Sequence, residues 1–123
     1  MRKIKHKIKE RKLTLFFPPF NNYEVCVITS NQKERSAEKI FDRHQIEHDT
    51  DGFGAIHIWC NRENRPISYM VFPEDASVGT ITHECWHCIK KMFSWIGSDY
   101  EDEIVAYHLD YLVQEVFDFI HQK

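Results

Sequence analysis

Long apolar runs are missing from this chain. None approaches the ~18 residues that a membrane-crossing helix requires, so no transmembrane segment is expected. Glycine and proline number four each, and no internal repeat, low-complexity tract or linker divides the 123 residues. One domain, 1–123, is expected, large enough to bury a single core. Cysteine is equally sparse. Cys26, Cys60, Cys85 and Cys88 are scattered, which argues against a disulfide framework and predicts free thiols. A secretion signal is not expected either. Leu13 to Phe17 is too short for its apolar region, Pro18-Pro19 interrupts it, and no small-residue cleavage site follows. A cytoplasmic location is therefore the expectation. What the chain does have is 42% hydrophobic and 14% aromatic residues, a globular rather than a disordered composition.

The net charge of -3 hides an asymmetry. Residues 1–12 hold seven Lys or Arg against Glu10, a local +6 that leaves -9 on the remaining 111. An arm of this kind, the basic residues 2–12, suits nucleic acid or an acidic partner. The same stretch alternates with period two from Lys3 to Lys9, which suits an edge strand whose outward lysines oppose edge-to-edge aggregation. No groove-reading element or aromatic platform accompanies the arm, so the edge strand is the preferred reading.

The hydrophobic pattern predicts the order β-β-α-β-β-α-α, an α+β domain. Residues 3–17 read as one long strand or a hairpin, and Phe17 to Asn22 as a turn or irregular crossing. Tyr23 to Thr29, Gly54 to Cys60 and Ile67 to Phe72 read as strands, the last two close enough for a hairpin. Asn31 to Gln45 has helical spacing, with Ala37, Ile40 and Phe41 on one side, and Asp49 to Gly52 reads as a turn. A helix from about Ser77 stops after Ile96 at Gly97, a residue type suited to the position past a helix end. Its expected apolar face is Val78, Ile81, Cys85, Ile89 (or Cys88), Met92 and Ile96. A last helix opens with the capping-box pattern Ser98-Asp99-Tyr100-Glu101 and runs to about His121.

Within the first of these helices lies His83-Glu84-Cys85-Trp86-His87. Histidines four apart lie on one helix face, roughly 5–6 Å between Cβ atoms. Both imidazoles can then reach one Zn²⁺ at about 2.0–2.1 Å. The adjacent carboxylate of Glu84 is placed to take a proton from a metal-bound water. Cys85 and Cys88 make a C-x-x-C in the same helix, which reads either as a redox or second-metal pair or as small buried residues. Trp86 and Trp95 are expected to pack, and His6, His44, His48 and His121 to be surface residues.

A catalytic zinc takes three protein ligands and one open position. In the last helix, Tyr107, Asp110 and Gln114 fall within about 40° of Glu103 at 100° per residue. Val105, Leu109, Leu112, Val116, Phe119 and Ile120 lie opposite. This narrow polar stripe is either the solvated face or a face turned to His83 and His87. If the third ligand is a Glu of this following helix, as in the gluzincins that the paired-histidine motif resembles, Glu103 is preferred and Glu101, which already suits the capping box, is the alternative.

His83 to His87 followed by Glu103-Ile104-Val105-Ala106 resembles the minimal gluzincins. The chain looks most like small zinc peptidases of bacteriophages and prophages. In those, Thr-x-x-His-Glu-Cys-x-His (Thr80 to His87) precedes an acidic stretch and Ala-Tyr-x-x-x-Tyr-Leu (Ala106 to Leu112). The resemblance covers about residues 77–113. It implies a minimal zincin-like domain: a small, mostly antiparallel sheet, one early helix and two C-terminal helices carrying the ligands. It implies Zn²⁺ on His83, His87 and Glu103, a peptide or protein substrate, and Glu84 as the base that later returns its proton to the leaving amine. Tyr107, His108 and Tyr111 are candidate oxyanion donors. Asp110 is either a hydrogen-bond acceptor for a ligand imidazole or a surface residue. Gly54 to Cys60 is the candidate substrate edge strand, with His57 and Trp59 lining a cleft or else packing on the helix or standing at the surface. A different class remains: an inactive zinc-binding interaction module, favoured by the little room for substrate subsites. The presence of Glu84 argues against it, since zinc retention needs no general base.

Overall fold

Two strands buried on both faces organise the fold. The computed structural model describes residues 7–20, 22–45, 54–62, 65–97 and 102–122. Its elements are β1 (Glu10–Phe17), β2 (Tyr23–Ser30), α1 (Lys33–His44), β3 (Ile56–Arg62), β4 (Arg65–Pro73), α2 (Val78–Ile96) and α3 (Asp102–His121). Pro18–Phe20 forms a short 3₁₀ turn between β1 and β2. The turn expected at Asp49 to Gly52 and the capping box at 98–101 lie outside the described residues, as does most of the Lys3 to Lys9 alternation.

The sheet order is β1-β2-β4-β3. Both outer pairs are antiparallel, and the central β2–β4 pair is parallel. This is the expected α+β domain with a mostly antiparallel sheet. Side chains alternate across a strand, so the apolar runs of β2 and β4 feed two cores. Val25, Val27, Met70 and Phe72 meet α2 and α3 on one face. Cys26, Ile28, Tyr69 and Val71 meet Ala37, Ile40 and Phe41 of α1 on the other. Each fully buried side chain of this size contributes about 1.5–3 kcal/mol.

Helix α2 begins where Ser77 Oγ accepts the Thr80 N–H at 3.2 Å and ends at Gly97 in the left-handed region, φ 66°. Its periodicity is as expected, but burial stops a turn short at each end. Ile81, Cys85, Cys88, Ile89 and Met92 are fully buried, whereas Val78 and Ile96 are exposed. Trp86, expected to pack, is 40% exposed with the Lys90 ammonium 6.0 Å from its ring centroid. It stands on the solvent side of the helix, beside both motif histidines.

Helix α3 is held at its far end by β1. Arg11 donates from Nη1 to the Phe119 carbonyl and from Nη2 to the Ile120 carbonyl, each at 3.0 Å. These are orphan acceptors of a last helical turn, where the helix dipole also favours a cation. One residue of the basic arm therefore acts as a helix cap. Among the described residues, no helix is long and apolar enough to cross a membrane.

Candidate metal centre

His83 and His87 lie one turn apart on the exposed side of α2, and their Nε2 atoms are 3.2 Å apart. The ring centroids are 4.8 Å apart at 80°. Two nitrogens each about 2.0–2.1 Å from one tetrahedral zinc lie roughly 3.3 Å from each other, so the pair already has the spacing a shared ion needs. Without an ion, one imidazole donates to the other. Glu84, next to His83 in the chain, is buried, 6% exposed. Its Oε2 lies 3.9 Å from His83 Nε2. Donor atoms of all three residues fall within 4.8 Å of one another. Burial pushes the Glu84 carboxyl above its ordinary value. The His83 imidazole and the main-chain N–H of His57, which Glu84 accepts, oppose that rise. A base raised in this way is poised closer to neutrality.

Strand β3 closes one side of the site. It is an edge strand, as expected for Gly54 to Cys60. The His57 ring stacks over His87, centroids 6.4 Å apart and 19° between planes. His57 Nε2 is 2.7 Å from Ser68 Oγ, which is 2.7 Å from the Tyr23 hydroxyl. Burial, aided by His87 and Lys91, pushes the His57 imidazole down to about 4, so it is neutral at neutral pH. Trp59 packs on α2, its ring 5.8 Å from that of Trp95 and under the Lys91 ammonium at 4.4 Å. Beside the histidine pair, Gly54, Ala55, Gly79, Thr80, His83 and Glu84 border a cavity of about 370 Å³.

The structure brings His57, His83, Glu84 and His87 together and leaves the α3 candidates elsewhere. Glu103 is exposed in the first turn of α3 and is not part of the three-residue donor group. His108 packs on Phe93 at 5.5 Å and His121 bonds the Ala76 carbonyl at 2.9 Å, so the two helices run antiparallel. The start of α3 thus lies beside the end of α2, beyond Phe93 and more than a helical turn past His87. His108 donates to the Ile104 carbonyl at 2.9 Å. Tyr107, His108 and Tyr111 line a separate cavity of about 360 Å³ with Phe16, Phe17, Pro18 and Pro19. Asp110 is exposed. Cys85 and Cys88 are buried toward the core, and burial raises both thiols, Cys88 to about 12. His44 bonds the Tyr69 hydroxyl at 3.0 Å.

Sequence reasoning missed Ser68 and Tyr23. Alternation along β3 was visible and put His57 on one face with Ala55 and Trp59, without saying what that face meets. Its link to Ser68 depends on the β3–β4 register and that to Tyr23 on the parallel β2–β4 pairing, neither of which a local pattern encodes. Compared with known protein families, curated proteins and solved structures, the chain has no match.

Proposed function

We propose that the chain is a zinc-dependent, metallopeptidase-like hydrolase of the phage and prophage kind that its sequence resembles, acting in the cytoplasm on a peptide or protein. One observation carries this reading: two imidazole nitrogens 3.2 Å apart with a buried carboxylate 3.9 Å from the first, at the edge of a sheet. His83 and His87 would hold the ion. When bound there, zinc lowers the pKa of a coordinated water toward about 7 and polarises a carbonyl. Glu84 takes the proton from the attacking water and returns it to the leaving amine. Apart from the His57 N–H, which Glu84 accepts, the edge of β3 that no other described strand pairs with offers main-chain groups to an extended substrate, and the cavity beside Gly79 takes one of its side chains.

For the third ligand the resemblance assigns Glu103, which stands outside the three-residue donor group. A zinc titration of Glu103→Gln tests that assignment. Loss of affinity by tenfold or more keeps it, and unchanged affinity removes it. The placement of Glu103 outside the donor group also supports a second reading, a zinc-binding interaction module without hydrolysis. Purified protein should carry about one zinc per chain. Glu84→Gln should keep the zinc and lose cleavage of a broad peptide library. Equal processing by both proteins, or none by either, favours the second reading, and a well-folded protein that takes up no zinc removes both.

A further inference from the structure

We propose that His57 is a positioning residue for the His83–Glu84–His87 site, and that it is anchored through Ser68 to Tyr23 in the middle of the sheet. The inference rests on the metal-centre reading above and adds a layer behind it. An edge strand has main-chain groups that no neighbouring strand takes, and the Glu84 carboxylate accepts one of them, the His57 N–H. The His57 ring lies over the His87 ring, 19° from parallel. One residue therefore stands beside both the base and a metal-binding imidazole.

An edge strand pairs on one side alone, so a residue in that position needs a second tether to hold its aim. Ser68 supplies it. The serine is wholly buried, and its Oγ lies 2.7 Å from both His57 Nε2 and the Tyr23 hydroxyl. A serine hydroxyl donates one hydrogen and accepts two. With Tyr23 donating to Ser68 and Ser68 donating to His57 Nε2, every hydrogen on this path has an acceptor. In either direction of the His57–Ser68 bond the contact tethers the ring.

The fold has no need of such a path. The same face of the sheet is otherwise apolar, built from Val25, Val27, Met70 and Phe72. Buried polar groups are costly unless fully paired, and apolar side chains of similar volume stabilise at least as well. Three polar side chains drawn into a line that ends against Glu84 and His87 point to the site. Outer groups that orient metal ligands typically contribute a factor of about 10–100 in metal affinity.

The test uses zinc and cobalt(II) on the full chain. Zinc affinity is measured by competition with a chromophoric chelator, and the cobalt form is read by its visible absorption. Ser68→Ala and His57→Phe leave the motif residues in place. Both should lose zinc affinity by about 10–100-fold and alter the cobalt band, in proteins that still unfold cooperatively although the unpaired buried hydroxyl lowers their melting temperature. Tyr23→Phe, which removes one oxygen, should shift both in the same direction by less. Affinity and cobalt band unchanged in Ser68→Ala and His57→Phe overturn the inference while the metal centre stands. Absence of zinc binding in wild type overturns the metal centre itself. If Ser68→Ala does not fold, His57→Phe and Tyr23→Phe decide by the same two readings.

Discussion

Acidification should destabilise the metal-free protein through His57. Its imidazole is pushed from the ordinary 6.5 down to about 4 in the folded state, so the unfolded chain takes up a proton that the folded one refuses. Stability from this group is complete above pH 7 and is lost as the pH falls through 6.5 toward 4. Integrating between those values gives a loss of about 2 kcal/mol at pH 5 and about 3 kcal/mol at pH 4. That is a large share of the ~5–15 kcal/mol of a whole domain. Glu84 acts with the opposite sign, because its raised carboxyl binds a proton before the unfolded chain does. A comparison with His57→Phe cancels that contribution, since the main-chain N–H to Glu84 survives the substitution. The assay is urea unfolding in EDTA at pH 7.5, 6 and 5. Wild type should lose about 2 kcal/mol more than His57→Phe between pH 7.5 and 5. Parallel losses in the two proteins would refute the burial of a neutral imidazole at this position.

Other outcomes follow from single contacts. Gly79 lies in the first turn of α2, and an added Cβ would meet only Ser77 Oγ at 3.9 Å. Gly79→Ala should therefore raise stability by about 0.5–1 kcal/mol in urea unfolding, and a loss would show a packing demand for glycine. Arg11→Ala removes both carbonyl bonds at the end of α3 and the stacking of the guanidinium 4.9 Å from the Phe119 ring centroid. It should cost about 1–2 kcal/mol, and a change below about 0.3 kcal/mol would leave the cap without energetic weight. Cys26, Cys60, Cys85 and Cys88 are buried, and burial raises all four thiols. An aromatic disulfide reagent should label none of them in native protein and all of them in denaturant. One fast-reacting native thiol would contradict this and revive a redox role for Cys85 and Cys88.

Most of the fold was legible because its signals are local. Ser77 and Gly97 bracket α2 by their own side-chain and backbone chemistry, and the spacing of Ile81, Cys85, Ile89 and Met92 needs only helical periodicity. The burial of Val78 and Ile96 was misread because periodicity gives the direction of a side chain and not what lies in that direction. The same holds for Trp86, which faces solvent beside the motif. Arg11 looked like one charge among many in a basic arm. Its work as a cap on residues more than a hundred positions later depends on β1 lying against the end of α3.

By itself, the sequence determined the α+β element order and the spacing of His83, Glu84 and His87, since a helix places residues four apart on one face whatever surrounds it. Tertiary structure decided the rest of the site. The edge position of β3, its register with β4 and the parallel β2–β4 pair bring His57, Ser68 and Tyr23 behind Glu84 and His87. The antiparallel packing of α2 and α3 carries Glu103 to the far end of α2. Contacts between distant segments are set by how the whole core closes, which depends on all the packed side chains at once and on no short stretch of sequence.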